Sequence, residues 1–317
     1  MPTPKQVHIT FPLVGPGGEP IDLWRTMISH GVTSLPPMFV DEDARTIEAT
    51  VPFAGSGPRT MKIQAGPPGF GSVSVAGVPD TEQARAAALT TVQHILRLDE
   101  DLSPFYAAAA KDPDLAWVTT GAGRMARCLT VFEDVIKTVC TTNCAWSATE
   151  RMVNALVEHL GQSAPSAPPT GTSGRAFPTP QAMAAQDESF YRDVVRAGYR
   201  GRYFHALATS VAAGELDLES LATATLEEIS DDEMAKLLLA LPGVGPYAAA
   251  HIMMMLGRYH RLIFDSWTRP RFARLTEVES ATDAEITARF APYGRYAGLA
   301  FWLFLTRDWV VDGEQPA

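Results

Sequence analysis

The 317-residue sequence predicts an α+β fold in which helices dominate. Three observations carry this: β-rich runs between about 45 and 80, apolar residues at helical spacing from about 82 onward, and the lack of a solenoid-type repeat of roughly 20 to 50 residues. In the first region RTIEATVPF, TMKIQAG and GSVSVAG alternate or are β-branched, and Gly/Pro/Ser turns separate them, as in a small antiparallel sheet. In LTVFEDVIKTVCTTNCAWSATERMVNALVEHL, residues Phe132, Val135, Ile136, Val139 and Cys140 recur three and four apart. Met152, Leu156 and Leu160 resume the pattern after CTTNC, which predicts two helices joined by a short polar turn. GQSAPSAPPTGTSGRAFPTP (161–180) is rich in Pro, Ser, Gly and Thr and predicts a flexible loop over about 161–178. Helices are then expected at about 180–186, 188–197, 201–213, 217–224, 231–240, 246–257 and, with breaks, 281–307. The expected division is a β-sheet domain over 1–85 and a helical domain over 86–317.

With 46% apolar and 20% charged residues, the chain can bury a sizeable core. No run approaches the roughly 18 to 20 uncharged apolar residues of a membrane span, and the N-terminus lacks the apolar centre of a secretory signal. The expectation is a cytoplasmic protein, nucleoid-associated in a bacterium, with no membrane partner. Cys128, Cys140 and Cys144 are too few for a disulfide framework or for the four thiolates of an iron–sulfur cluster, and they read as small buried residues. A net charge of −10 argues mildly against a nucleic-acid partner, but binding depends on where the charges lie. Residues 257–274 hold five Arg against one Asp, and 192–206 hold four Arg against one Asp.

Between these basic stretches lies LLALPGVGPYAAAHI (238–252). A helix stops at Pro242, Gly243 and Gly245 permit a tight turn, and Pro246 suits the first turn of a new helix. Helix, hairpin and helix over about 231–257 aim backbone amides at one spot, which makes an anion site that needs no net positive charge. Eighteen residues after Tyr247, Asp265 emerges from an apolar run into a basic neighbourhood at a helix start. It reads either as a helix cap or as an acid placed where positive charge develops.

Leu241 to Ala249 with Asp265 at this spacing resembles the helix-hairpin-helix DNA glycosylase superfamily. FEDVIKTVCTTNCAW, FPTPQAMAA, AGYRGRY and PYGRYAGLA are similar, in the same order, to segments of its 8-oxoguanine and 3-methyladenine branch. The resemblance covers roughly 85–310, and the N-terminal sheet more weakly. It implies two helical subdomains with the active-site cleft between them, base excision repair of damaged double-stranded DNA, and a monomer. By analogy Gly243, Val244 and Gly245 bind a phosphate through their amides, and carbonyls of Leu239, Leu241 and Val244 hold a structural Na+ or K+. No other cofactor is required. Asn143 matches a residue that fills the gap left by the extruded nucleotide. Tyr199 and Arg200 match a wedge and an orphan-base contact, and Asp265 matches the catalytic acid.

Departures from the pattern bear on chemistry and substrate. Bifunctional members carry a Lys where this chain has Tyr247, so the resemblance implies a monofunctional enzyme that uses water. Gly31 is similar to a Gly whose carbonyl reads 8-oxoguanine, but LPP follows in place of an aromatic run. Phe301 stands where the branch has an amide reading the base edge, and Leu305 where it has a stacking Phe. A pocket of Tyr247, Phe301 and Gly31 that reads by stacking and shape suits an alkylated purine such as 3-methyladenine. Trp146, Trp267 and Trp302 are candidate pocket aromatics, although core packing is the commoner fate of each. An 8-oxoguanine glycosylase, with or without strand cleavage, and a non-catalytic module for damaged DNA remain the alternatives.

Overall fold

A computed structural model describes residues 6–53 and 55–310. Five strands, β1 (Gln6–Pro12), β2 (Met38–Asp41), β3 (Thr46–Phe53), β4 (Gly57–Ala65) and β5 (Phe70–Ala76), form one antiparallel sheet in the order β1-β5-β4-β3-β2. The three expected strands are β3, β4 and β5, and β1 and β2 add an edge on either side. Phe11 of β1 lies across Gly71 of β5, where a Cβ would come within 2.4 Å of the ring, so only glycine leaves room for this aromatic cover.

A five-residue helix α1 (Leu23–Met27) and a 3-10 turn over Gly31–Ser34 interrupt the sheet sequence between β1 and β2. The helices that follow are α2 (Glu82–Leu96), α3 (Ser103–Ala109), α4 (Val131–Thr141), α5 (Trp146–Leu160), α6 (Pro180–Ala184) and α7 (Gly201–Ala212). After them come α8 (Asp231–Leu239), α9 (Pro246–Met255), α10 (Thr268–Leu275), α11 (Asp283–Phe290) and α12 (Ala297–Thr306). Local chemistry starts several of them: Thr81 and Thr130 cap α2 and α4, and Ser230 with Glu233 forms a reciprocal capping box on α8. The expected helix at 188–197 is a short π turn over Phe190–Val194, and that at 217–224 is a 3-10 turn over Glu219–Ala222. Segment 161–178 forms neither helix nor strand, but it is folded on itself. Arg175 donates to the carbonyls of Gly161, Pro169 and Gly171, and Glu158 accepts from the Gly171 amide.

Among the described residues, three apolar clusters form the core. The first joins the sheet to α2, which starts at Glu82, so the interval around residue 85 lies inside a helix that packs on the strands. The second joins α4, α5, α7 and α8 and takes in Val32 and Leu35 from the N-terminal region. The third joins α3, α10, α11 and α12. Helix α9 is apolar on every side because it stands between the last two: Ala248, Ile252 and Met253 face one, Ala250 and Met254 the other. Tyr247 touches both clusters, and a cleft opens there.

Candidate active site

The hairpin is built as its sequence requires. Gly243 has φ +81, and a Cβ on it would stand 2.7 Å from the Tyr203 ring, so both conformation and space demand glycine. The Val244 side chain is buried and its amide donates to the Leu241 carbonyl at 3.1 Å. Val244 therefore anchors the hairpin, and its N–H is engaged within it. The amides of Gly243 and Gly245 find no acceptor among the described residues and border an open groove of about 890 Å³. Across it stands the α4–α5 turn, with Asn143 at φ +45 and its Nδ2 donating to the Tyr199 hydroxyl at 3.3 Å. Tyr199 is 48% exposed and faces the groove.

Arg200, expected at an orphan base, is only 7% exposed. Its guanidinium stacks on the Tyr199 ring at 4.6 Å and donates to the Thr142 carbonyl and hydroxyl, so it braces the turn that presents Asn143 and Tyr199.

Behind the groove lies a second cavity of about 540 Å³ with an apolar, aromatic wall. Trp146, Trp267 and Trp302 all line it, joined by Tyr247, Gly31 and Trp309. Trp267, Trp302 and Trp309 contact one another at centroid separations of 5.8 to 6.1 Å, and Trp302 Nε1 is held by the Ser29 carbonyl. A Cβ on Gly31 would come within 3.0 Å of the Trp146 ring, and the Gly31 carbonyl accepts from the Ser34 hydroxyl. Phe301 is not in this wall. It is 1% exposed and packs with Phe264, Phe272 and Phe290 in the third cluster, while its neighbour Trp302 takes the cavity face of α12. Leu305 is likewise buried in that cluster.

Asp265 lines both cavities, as do Thr141, Trp146 and Tyr247. Its Oδ1 accepts from the amides of Trp267 at 2.8 Å and Thr268 at 2.6 Å, and its own amide donates to Thr268 Oγ1. Oδ1 is thus tied to the start of α10, which fixes the carboxylate, and Oδ2 has no partner among the described residues. Burial raises the Tyr247 phenol, opposed by the Thr141 hydroxyl and reinforced by the negative charge of Asp265.

Two groups in the wall were missed in the sequence. His30 Nε2 and His251 Nδ1 are 2.9 Å apart although the residues lie 221 positions apart in the chain. Burial depresses His30 to about 4 and His251 well below its ordinary value, with His30 adding to the second shift, so both rings are neutral at pH 7. The one local signal is that His251 follows Tyr247 by four, on the same helix face.

This burial has a consequence for stability. Below the ordinary histidine value of 6.5 the unfolded chain takes up protons that folded His30, and His94 with it, accept only near 4. The unfolded state then binds more protons, and stability falls as pH drops from 6.5 towards 4. Asp134, pushed up to about 6 by burial, works in the opposite sense between 6 and its ordinary 3.8, but it is one group against three histidines. Urea midpoints at pH 7.5, 6 and 5 are expected to decrease in that order, and a midpoint constant or rising towards pH 5 would contradict the neutral pair.

No protein-family model and no curated protein sequence matches the chain. Solved structures do. MBOgg1, in complex with a low-affinity DNA ligand, superposes with a TM-score of 0.70 at 16% identity, over 96% of each chain. The 3-methyladenine DNA glycosylase from Archaeoglobus fulgidus gives 0.70 at 18% identity, over 96% of this chain and 100% of that one. The apo 8-oxoguanine glycosylase/lyase of Clostridium acetobutylicum gives 0.69 at 17% identity, over 96% and 97%. From the N-terminal sheet to the last helix, the chain has the fold of the 3-methyladenine and 8-oxoguanine DNA glycosylases.

Proposed function

We propose that the protein is a monofunctional DNA glycosylase that hydrolyses the N-glycosidic bond of an extruded alkylated purine, 3-methyladenine being the favoured example, in damaged double-stranded DNA. The observation that carries this reading is the position of Asp265 where an amide-lined groove meets an aromatic cavity. A strand whose phosphate rests on the Gly243 and Gly245 amides would bring one sugar to Asp265 and its base among the tryptophans. Asn143 and Tyr199, exposed at the groove, are suited to enter the space the base vacates.

The chemistry follows from charge. As the bond between C1′ and the purine nitrogen breaks, its electron pair leaves with the base and the sugar gains oxocarbenium character. The free Oδ2 of Asp265 stabilises that charge, orients a water towards C1′ and accepts the proton the water loses. An alkylated purine that carries positive charge needs little help to leave, and electron-rich indoles attract it by cation–π contact. Neutral His30 and His251 add no repelling charge.

Water is the nucleophile in this reading because, among the described residues, the cavity offers no amine. Tyr247 holds the position next to the hairpin, and none of Lys62, Lys111, Lys137 and Lys236 lines either cavity. Lys137, the most deeply buried of them, is paired with Glu133 at 2.7 Å. At the end of α8 the carbonyls of Lys236, Leu237 and Leu238 accept from the amides of Ala240 and Leu241, the Leu239 carbonyl has no partner among the described residues, and Leu241 uses one lone pair on the Val244 amide, so Leu239, Leu241 and Val244 suit a monovalent cation that would stiffen the hairpin.

A panel of labelled duplexes carrying 3-methyladenine, 7-methylguanine, 8-oxoguanine, uracil or hypoxanthine tests the proposal. Strand breaks that appear only after alkali, first on the methylated purines, are expected. Breaks without alkali, or a borohydride-trapped protein–DNA adduct, would exclude the hydrolytic mechanism. Gly31→Leu, whose side chain must enter the cavity beside Trp146, is expected to lower kcat/KM at least about 10-fold, since misplacing the reacting sugar by about 1 Å costs on the order of 100-fold. Unchanged kinetics in that variant would mean that the base does not enter this cavity.

A further inference from the structure

A buried relay ends in the aromatic cavity, and the hydrolysis above makes no use of it. The Val32 amide donates to His30 Nδ1 at 3.4 Å, so that nitrogen is an acceptor and the neutral His30 ring carries its proton on Nε2. This proton is donated to His251 Nδ1, which places the His251 proton on Nε2. His251 is a wall residue of the cavity, and its Nε2 has no partner among the described residues and is not sealed from the open space. A backbone amide thus sets, two rings away, the polarity of one cavity atom.

We infer that His251 is a specificity-determining residue whose Nε2–H donates to an acceptor, a ring nitrogen or a carbonyl oxygen, on the edge of the extruded purine. His30 is the positioning residue that holds this polarity. The identity of the ligand as an extruded base rests on the glycosylase reading. A purine with a ring nitrogen or oxygen at that point is accepted, while one presenting an N–H there sets donor against donor. Because the ring is neutral, it can contact a cationic base without repelling it. A donor left unpaired in a closed cavity weakens binding by about 10- to 100-fold.

Two measurements on the intact protein test the inference without relying on catalysis. Long-range proton–nitrogen correlation spectra of the imidazoles report which nitrogen is protonated, and both His30 and His251 are expected to carry the proton on Nε2. Quenching of the cavity tryptophans by added adenine and 3-methyladenine reports purine binding. His251→Gln, whose amide nitrogen can stand where the ring Nε2 stands, is expected to bind within about 3-fold of wild type, and His251→Leu about 10- to 100-fold more weakly. Affinity for a duplex with a tetrahydrofuran abasic site, which has no base to contact, is expected to be the same in all three proteins.

A His251 proton on Nδ1, wild-type purine affinity in His251→Leu, failure of wild type to bind either purine, or an equal loss of abasic-duplex affinity in His251→Leu would each overturn the inference. A wild type that binds purines as expected yet releases no base from any lesion duplex would instead remove the glycosylase reading and leave the His251 donor in place.

Discussion

Asp265→Asn is expected to abolish base release, by about 10³-fold or more in kcat, while leaving affinity for an abasic-site duplex within a few-fold of wild type. The substitution keeps an oxygen that can accept from the amides of Trp267 and Thr268, so the start of α10 and the shape of the cleft survive. In the proposed mechanism it removes the negative charge beside the developing oxocarbenium ion and the base that takes a proton from water. Such a loss corresponds to about 4 kcal/mol of transition-state stabilisation. In the proposed reading the amides of Gly243 and Gly245 and the side chains of Asn143 and Tyr199 would contact DNA independently of that charge, which is why binding and chemistry should separate. A variant that loses both together would show that Asp265 acts only in holding the start of α10. One that retains base release would place the chemistry elsewhere.

The largest effect on stability is expected from Glu19→Ala. Arg124 is fully buried, and its guanidinium donates to the carbonyls of Arg97 and Glu100 and to Glu19 Oε1, which also accepts from the Leu102 amide. This cluster ties the loop after β1 to the chain entering α3, so it fixes the sheet against the helices. Removing the carboxylate leaves a buried cation without its partner, which costs about 3–5 kcal/mol. For a chain of this size that corresponds to a fall in melting temperature of about 5–8 °C. Adding Arg124→Met to Glu19→Ala is expected to restore part of the loss, because no unpaired charge then remains inside. Equal and additive losses in the two single variants would show that the pair is not coupled, and a Glu19→Ala protein as stable as wild type would show that the guanidinium reaches water.

The parts of this molecule that local chemistry specifies were readable from the chain. The Pro-Gly-x-Gly-Pro hairpin, the break between α4 and α5, the strands β3 to β5 and the placement of Asp265 rest on turn residues, caps and periods of two or 3.6 within short windows. β1 and β2 were not expected: β1 pairs with a strand some sixty residues later, and β2 is only four residues long. The phase of α12 was also hidden. Its sequence AGLAFWLFLT is apolar on every side, so no amphipathic pattern tells whether Phe301 or Trp302 meets the cavity, and the structure gives that face to Trp302. Arg200 was visible as a charge but not as a buried brace, since only the fold brings the Thr142 carbonyl to it. The His30–His251 pair is the clearest case: neither residue has a local motif, and only contact across the chain brings them together in the cavity wall.

Base release from methylated duplex DNA, identified by chromatography for the wild type and Asp265→Asn side by side, tests hydrolysis at the junction of the two cavities most directly. Free 3-methyladenine or 7-methylguanine from wild type, with strands intact until alkali, and none from the variant, is the result expected. Release at equal rates from both proteins, or from neither while both bind the DNA, would contradict it.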